Sequence, residues 1–280
     1  MQTYFIVDSS QQPNLHRKLA RYKAEFRSLF EGFAEESLPE IAPLLVKLPD
    51  EDDVVRKRIE ADIRHLAQTR PCICRVESAL DLDVLAKQLS QFHIVEVPEG
   101  RRMIMRWYDT RVLPAWWGVL TERQRASFVD GIEHWSYYDR FGDEVRLEFS
   151  AQSAVPEATP LALTEPQYAQ LLHAAEPDVL IAHLRTVIRD ELRVVPQRTL
   201  YPFVASHLEA ARHHGLQDFD EQTQYLLIAL YTSGRFVEHP EAQLRLTVDA
   251  TTHGQSFGDW AANVSDSIWD AGVPLWHSFQ

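Results

Sequence analysis

Apolar residues along this chain follow two rhythms, and the change from one to the other comes near residue 150. Before it, short apolar runs alternate with segments of helical spacing. Tyr4 to Val7, Leu44 to Leu48, Pro71 to Val76 and Phe92 to Val97 read as strands. Turn or breaker residues bound them, among them Asp8-Ser9-Ser10, Pro49 and Pro98-Glu99-Gly100. Helices are predicted between them over about Pro13 to Arg21, from the acidic run Asp50 to Asp53 through Gln68, and over Leu80 to Leu89. In the second of these Ile59, Ile63 and Leu66 share one face, and acidic residues at its start suit the positive end of a helix dipole. Leu29 and Phe30 open a further apolar patch. Val145 to Phe149 alternates apolar with charged residues and should pair antiparallel, at a sheet edge, with Ile132 to Tyr138. Strands alternating with helices imply an α/β lobe over residues 1–150, its sheet mixed and partly parallel.

Residues 150–163, with Pro156 and Pro160, have the composition of a linker. Beyond them the pattern is helical only. Thr164 with Gln167 and Asp218 with Glu221 have the spacing of capping boxes. Leu180, Ile181, Leu184, Val187, Ile188 and Leu192 keep helical spacing on one face. Thr199 is expected to start a helix that ends at Gly215, and the helix after Asp218 should stop at Gly234. Ser256 with Asp259 opens a last one, with Phe257, Trp260, Val264 and Ile268 as its apolar stripe. Residues 161–280 therefore read as an all-helical lobe. The tail WDAGVPLWHSFQ carries Trp269, Trp276 and Phe279, more apolar surface than a free end should expose, so it is expected to fold back.

The densest chemistry lies between Arg101 and Trp135. Met103 to Trp107 reads as a buried strand, and Asp109 stands where a helix should begin. Val112, Leu113, Trp116 and Trp117 supply that helix's apolar side, and Thr121 caps the next. A carboxylate at a helix start accepts bonds from free backbone N–H groups, and flanking guanidinium groups can pair with it at two points. Arg106, Asp109 and Arg111 are therefore either a structural ion cluster or an anion site in which Asp109 orients the arginines. Neighbouring Trp116 and Trp117 diverge on a helix, so one is expected inside and the other partly outside, where a Trp is a candidate interface anchor.

The run Arg106-Trp107-Tyr108-Asp109-Thr110-Arg111-Val112-Leu113, followed by Gln124, Phe128, Ile132 and Trp135, resembles the signature of the type VI secretion effector adaptor/chaperone family, long catalogued as a domain of unknown function. The YFIVDSS run, the SLFEG of Ser28 to Gly32 and the PLLVKL from Pro43 to Leu48 match it in kind and order, so the resemblance spans about Tyr4 to Phe149. Thr110 stands where that family usually has Pro. The resemblance implies a cytoplasmic, non-enzymatic adaptor that holds a toxic secreted effector and helps load it onto the VgrG spike. It implies Arg106, Tyr108, Asp109 and Arg111 as motif scaffold, with Trp116 and Trp117 as contact candidates.

Composition narrows the alternatives. With 280 residues there is room for two lobes, and a net charge of −13 argues against nucleic-acid or anionic-membrane partners. Residues 1–150 carry 21 Lys and Arg against 25 Asp and Glu, and residues 151–280 carry 7 against 16. The acidic second part keeps open an immunity protein that neutralises a basic toxin. Cys72 and Cys74 lie two apart on one predicted strand, a poor geometry for a disulfide between them, so free buried thiols are expected. Residues 1–8 show no signal-peptide pattern, and the longest apolar run, Tyr225 to Tyr231, is too short to span a bilayer. There is no nucleotide-binding glycine loop and no Gly-x-Ser-x-Gly elbow. His213 and His214 diverge on a helix, and His65, Cys72 and Cys74 lack common zinc spacing. His183 and His207 fall near apolar stripes as boundary histidines. No catalytic residue, metal or cofactor is therefore expected. An enzyme acting on an anionic small molecule through Arg106 and Arg111 is the remaining alternative.

Overall fold

The computed structural model describes residues 1–50, 53–149, 160–247 and 255–279. The chain divides into two compact units, Met1–Ala174 and Ala175–Gln280.

The first unit is built on six strands: β1 (Gln2–Asp8), β2 (Phe26–Ser28), β3 (Pro43–Lys47), β4 (Ile73–Ser78), β7 (Ile132–Tyr138) and β8 (Glu144–Arg146). They lie in the order β2-β3-β1-β4-β7-β8, and every pairing is antiparallel. A second sheet, β6-β5-β9, joins β5 (Ile94–Val97) antiparallel to β6 (Arg101–Ile104) and parallel to β9 (Leu161–Ala162). The mixed, partly parallel character expected from the sequence thus holds, with the parallel pairing between β5 and β9. β1 runs through the middle, and Tyr4 to Asp8 are all buried, so both faces are covered. On one face the Tyr4 hydroxyl donates to Leu80 O (2.7 Å), beside α3 (Leu82–Ser90). On the other, Phe5 shares a cavity wall with Ile63 of α2 (Val54–Thr69). Asp53 caps α2 through Val55 N, and Ile59, Ile63 and Leu66 are buried as their spacing predicts. α1 (Leu15–Tyr22) packs against α2.

Two short helices, α4 (Leu113–Val119) and α5 (Glu122–Phe128), precede β7, and the Thr121–Gln124 capping box opens α5. Their aromatics meet those of β7 in one cluster. Phe128 lies 5.4 Å from Trp107, 5.1 Å from Trp135 and 6.1 Å from Trp116, centroid to centroid. The linker expected over 150–163 falls mostly outside the described residues. Leu161–Ala174, assigned from sequence to the second lobe, group with the first unit. The reason is local: Leu161 and Ala162 pair with Val95 and Glu96, and Gln167 Nε2 donates to Val119 O (2.8 Å) and Gln124 Oε1 (2.7 Å).

The second unit is helical as expected. It contains the later part of α6 (Glu165–Val187), then α7 (Arg189–Arg193), α8 (Gln197–His213), α9 (Phe219–Thr232), α10 (Pro240–Thr247) and two short helices, Phe257–Ala261 and Asp266–Trp269. Three expectations change here. Val187 is 53 % exposed and leaves the buried stripe kept by Leu180, Ile181, Leu184, Ile188 and Leu192. Glu221 does not close a capping box with Asp218; its Oε1 accepts from Phe257 N (3.0 Å), while Asp218 accepts from Asp220 N. The helix opened by Ser256 is two short ones, broken near Asn263, because only single turns are needed to bring Phe257 and Ile268 into the core. The tail does fold back. Trp276 is buried and packs edge-on against Tyr231 at 4.9 Å, and Ser233 Oγ donates to Val273 O (2.6 Å). Among the described residues no helix is long and apolar enough to cross a membrane.

Gly272 lies so close to α9 that a Cβ there would collide with Thr232 O, whereas Gly118 on α4 has open space around it. Gly272→Ala should therefore cost about 1–3 kcal/mol of stability. Gly118→Ala, a helix-interior glycine with no clash, should gain about 0.5–1 kcal/mol. Chemical denaturation of the two variants beside the parent checks both signs.

Candidate functional site

The Arg/Asp run forms a corner at the end of β1. Asp8, at that end, is 0 % exposed. Its N–H donates to Cys72 O (3.0 Å), its Oδ1 accepts from Ser10 N (3.0 Å), and its Oδ2 takes Arg106 Nη2 at 2.8 Å. The same Arg106 nitrogen reaches Ser10 Oγ (3.1 Å) and lies 3.8 Å from Asp109 Oδ2. Asp109, 2 % exposed, accepts from Arg111 N and Nε on Oδ1 (3.0 Å each) and from Arg111 Nη2 on Oδ2 (2.6 Å). The pairing expected for Arg111 is therefore present and two-pronged. Arg106 differs from expectation: its closest carboxylate is Asp8, which sequence reading treated only as a turn residue.

Asp109 is also not the start of the following helix. That helix begins at Leu113, and Asp109 anchors the preceding turn through its carbonyl, which accepts from Val112 N (2.9 Å) and Leu113 N (3.0 Å). The turn carries the chain back to the segment just before β4, where Thr110 N donates to Pro71 O (3.3 Å). Nor is Met103–Trp107 a buried strand. β6 ends at Ile104, and Met103 and Ile104 are each 43 % exposed; burial begins at Trp107.

Burial alone would lower the Arg106 pKa, but Asp8, Tyr108 and Asp109 outweigh it and the net direction is up. Burial pushes the Tyr108 hydroxyl up to about 12, with Arg106 pulling the other way. Cys72 and Cys74 are free and buried, and desolvation raises each thiol to about 12, which makes them poor nucleophiles. Trp116 is fully buried. Trp117 is partly exposed, but it packs on Phe149 (6.0 Å) and carries the Arg125 guanidinium over its ring at 5.3 Å.

His93 carries no pattern in the sequence. It is 1 % exposed, stacks on Trp107 at 5.2 Å, and has Phe30, Phe33 and Tyr108 around it. Neither ring nitrogen has a partner among the described residues, and burial lowers its pKa to about 4. Its carbonyl accepts from Met105 N (2.7 Å), which ties the residue before Arg106 to the one before β5.

Other polar hollows are occupied by their own charges. One of about 380 Å³ on the β4–β7–β8 face contains Arg75–Glu77, Ser136–Glu144 and Arg146–His134 contacts, each 2.7 Å. In the second unit, one of about 570 Å³ is lined by His183, Asp218, Asp220 and Glu221. Among the described residues no group of three or more His, Cys, Asp or Glu is placed to hold a metal ion. His207 rests on Phe203 (4.3 Å), and His214 Nδ1 lies 3.1 Å from Leu246 O, both within the helical unit.

Residues 3–127 match the model of a family described as a domain of unknown function, DUF4123. No curated protein and no solved structure matches the chain. The DUF4123 segment takes in Asp8, His93, Arg106, Asp109, Arg111, Trp116 and Trp117, so it contains the whole corner and its aromatic floor.

Two measurements test this construction. Asp109→Ala takes the two-point carboxylate from Arg111, while Arg106 keeps Asp8, and should cost about 1–3 kcal/mol, read from denaturant midpoints. The second concerns pH. His93 has an ordinary pKa of 6.5 when unfolded and about 4 when folded, so protonation favours unfolding. Its contribution is complete above pH 6.5 and is lost as pH falls toward 4, by up to about 3 kcal/mol. In His93→Leu the difference in stability between pH 7 and pH 4.5 should shrink by about 2 kcal/mol, most of that amount; an unchanged pH slope would refute it.

Proposed function

We propose that this protein is an adaptor that grips another protein and performs no chemistry on it. The partner is a toxic effector of a type VI secretion system, which the adaptor holds in the cytoplasm and helps place on the VgrG spike. The reading is supported by the DUF4123 match over residues 3–127 and by the resemblance of the Arg106–Leu113 run to the adaptor signature. The observation that carries it is the state of the two arginines. Each already sits on a buried carboxylate of this chain, Arg106 on Asp8 and Arg111 on Asp109, as architecture requires and an anion-processing site does not. The physical logic of such an adaptor is masking: an effector with exposed apolar segments would aggregate, and a preformed surface covers them until delivery.

A second reading rests on charge. Residues 151–280 carry 7 Lys and Arg against 16 Asp and Glu, which suits an immunity protein directed at a basic toxin. The two separate in cells: an immunity protein rescues growth against the toxin, and an adaptor is required for the toxin's secretion.

Co-expression with the toxin encoded beside this gene should yield a stable one-to-one complex on size exclusion. Recovery of the two as separate species would end the adaptor reading.

A further inference from the structure

β6 is an open sheet edge of unusual composition. Its four residues, Arg101, Arg102, Met103 and Ile104, are all exposed, and its one neighbour is β5. Met105 N bonds to His93 O, so in an antiparallel ladder registered Val95↔Met103 and Val97↔Arg101, those two positions face β5. Arg102 and Ile104, the alternate positions, turn their N–H and C=O groups to the open side.

The other sheet edges are blunted. On β2, Arg27 is engaged by Asp83 of α3 at 2.6 Å, and α3 packs against the strand. On β8, Glu144 and Arg146 are tied back to Ser136 and His134 of the adjacent strand. β9 has two residues. On β6, Arg102 makes no hydrogen bond or ion pair among the described residues, and Arg101 has only Glu99 at 3.6 Å. Exposed charge on an edge normally discourages pairing, but the two exposed large apolar residues that follow those charges, Met103 and Ile104, do the reverse.

We infer that β6 receives one extended segment of the bound protein as an added strand. The segment is short and acidic, with apolar residues at alternate positions. Backbone pairing at Arg102 and Ile104 supplies affinity. Acidic side chains complement Arg101 and Arg102 on opposite faces, and an apolar side chain covers Met103. The inference rests on the adaptor reading and names the place and chemistry of its contact.

The test uses the full chain and the toxin encoded beside its gene. Ile104→Pro deletes an outward N–H without touching the ladder to β5, and Arg102→Glu reverses an outward charge. Each should weaken the complex at least tenfold while the free chain melts as before. By hydrogen exchange on the unaltered complex, the Arg102 and Ile104 amides should gain protection on binding, which keeps the test decisive if Ile104→Pro misfolds. A complex of parental affinity in both variants, or unprotected amides, would overturn strand addition and leave the adaptor reading standing. No complex at all would overturn both. A purified chain that is a dimer, and becomes a monomer as Ile104→Pro, would assign the edge to a second copy and overturn the cargo assignment.

Discussion

Two carboxylates with almost no access to water must be neutralised for this sheet to close. Asp8 ends the central strand, and Asp109 ends the turn that brings the chain back beside it. A buried carboxylate without a counter-ion costs several kcal/mol, so the guanidinium groups of Arg106 and Arg111 are conditions of folding. The hydrogen-bond geometry reflects that role. Asp8 spends one oxygen on the backbone of Ser10 and the other on Arg106, and Asp109 spends both on Arg111. Such a network fixes position at the expense of reactivity. A carboxylate held on both oxygens is poorly suited to move a proton, and an arginine already in a fork has little to offer a substrate.

The sequence made parts of this corner legible and hid others for a physical reason. Arg111 and Asp109 are two residues apart, so local geometry alone makes their pairing readable. Arg106 and Asp8 are 98 residues apart, and no spacing rule brings them together; the bonds of Asp8 N to Cys72 O and of Thr110 N to Pro71 O do, by drawing both segments to the residues just before β4. The strands around β1 were legible because their apolar runs are buried on both faces. β6 departs from its apolar pattern because apolar content reports what a residue prefers, while exposure depends on whether a neighbour arrives. In the helical unit, the stripe from Leu180 to Leu192 was readable apart from Val187, but Glu221 abandoned its capping box for Phe257 N because a distant segment offered a better donor. His93 gave no signal: a lone histidine before a strand has no pattern, and its aromatic box assembles from two distant segments, Phe30–Phe33 and Trp107–Tyr108.

The corner and the open strand are mechanically one object. One residue, Met105, separates the end of β6 from Arg106. Met105 N bonds to His93 O, His93 stacks on Trp107, and Arg106 is tied to the end of β1. The strand is thus held at its C-terminal side by an ion pair and an aromatic floor, and at its N-terminal side by the turn at Pro98–Gly100. That matters for recognition because adding a strand to a mobile edge costs the ordering of that edge as well as of the incoming segment. An edge already fixed to the most constrained part of the unit leaves only the guest to be ordered. On the proposed strand addition, the buried ion cluster would bear on partner binding without direct contact: loosening Asp8 or Asp109 would free β6, and binding would weaken through lost preorganisation while Arg102 and Ile104 remained in place.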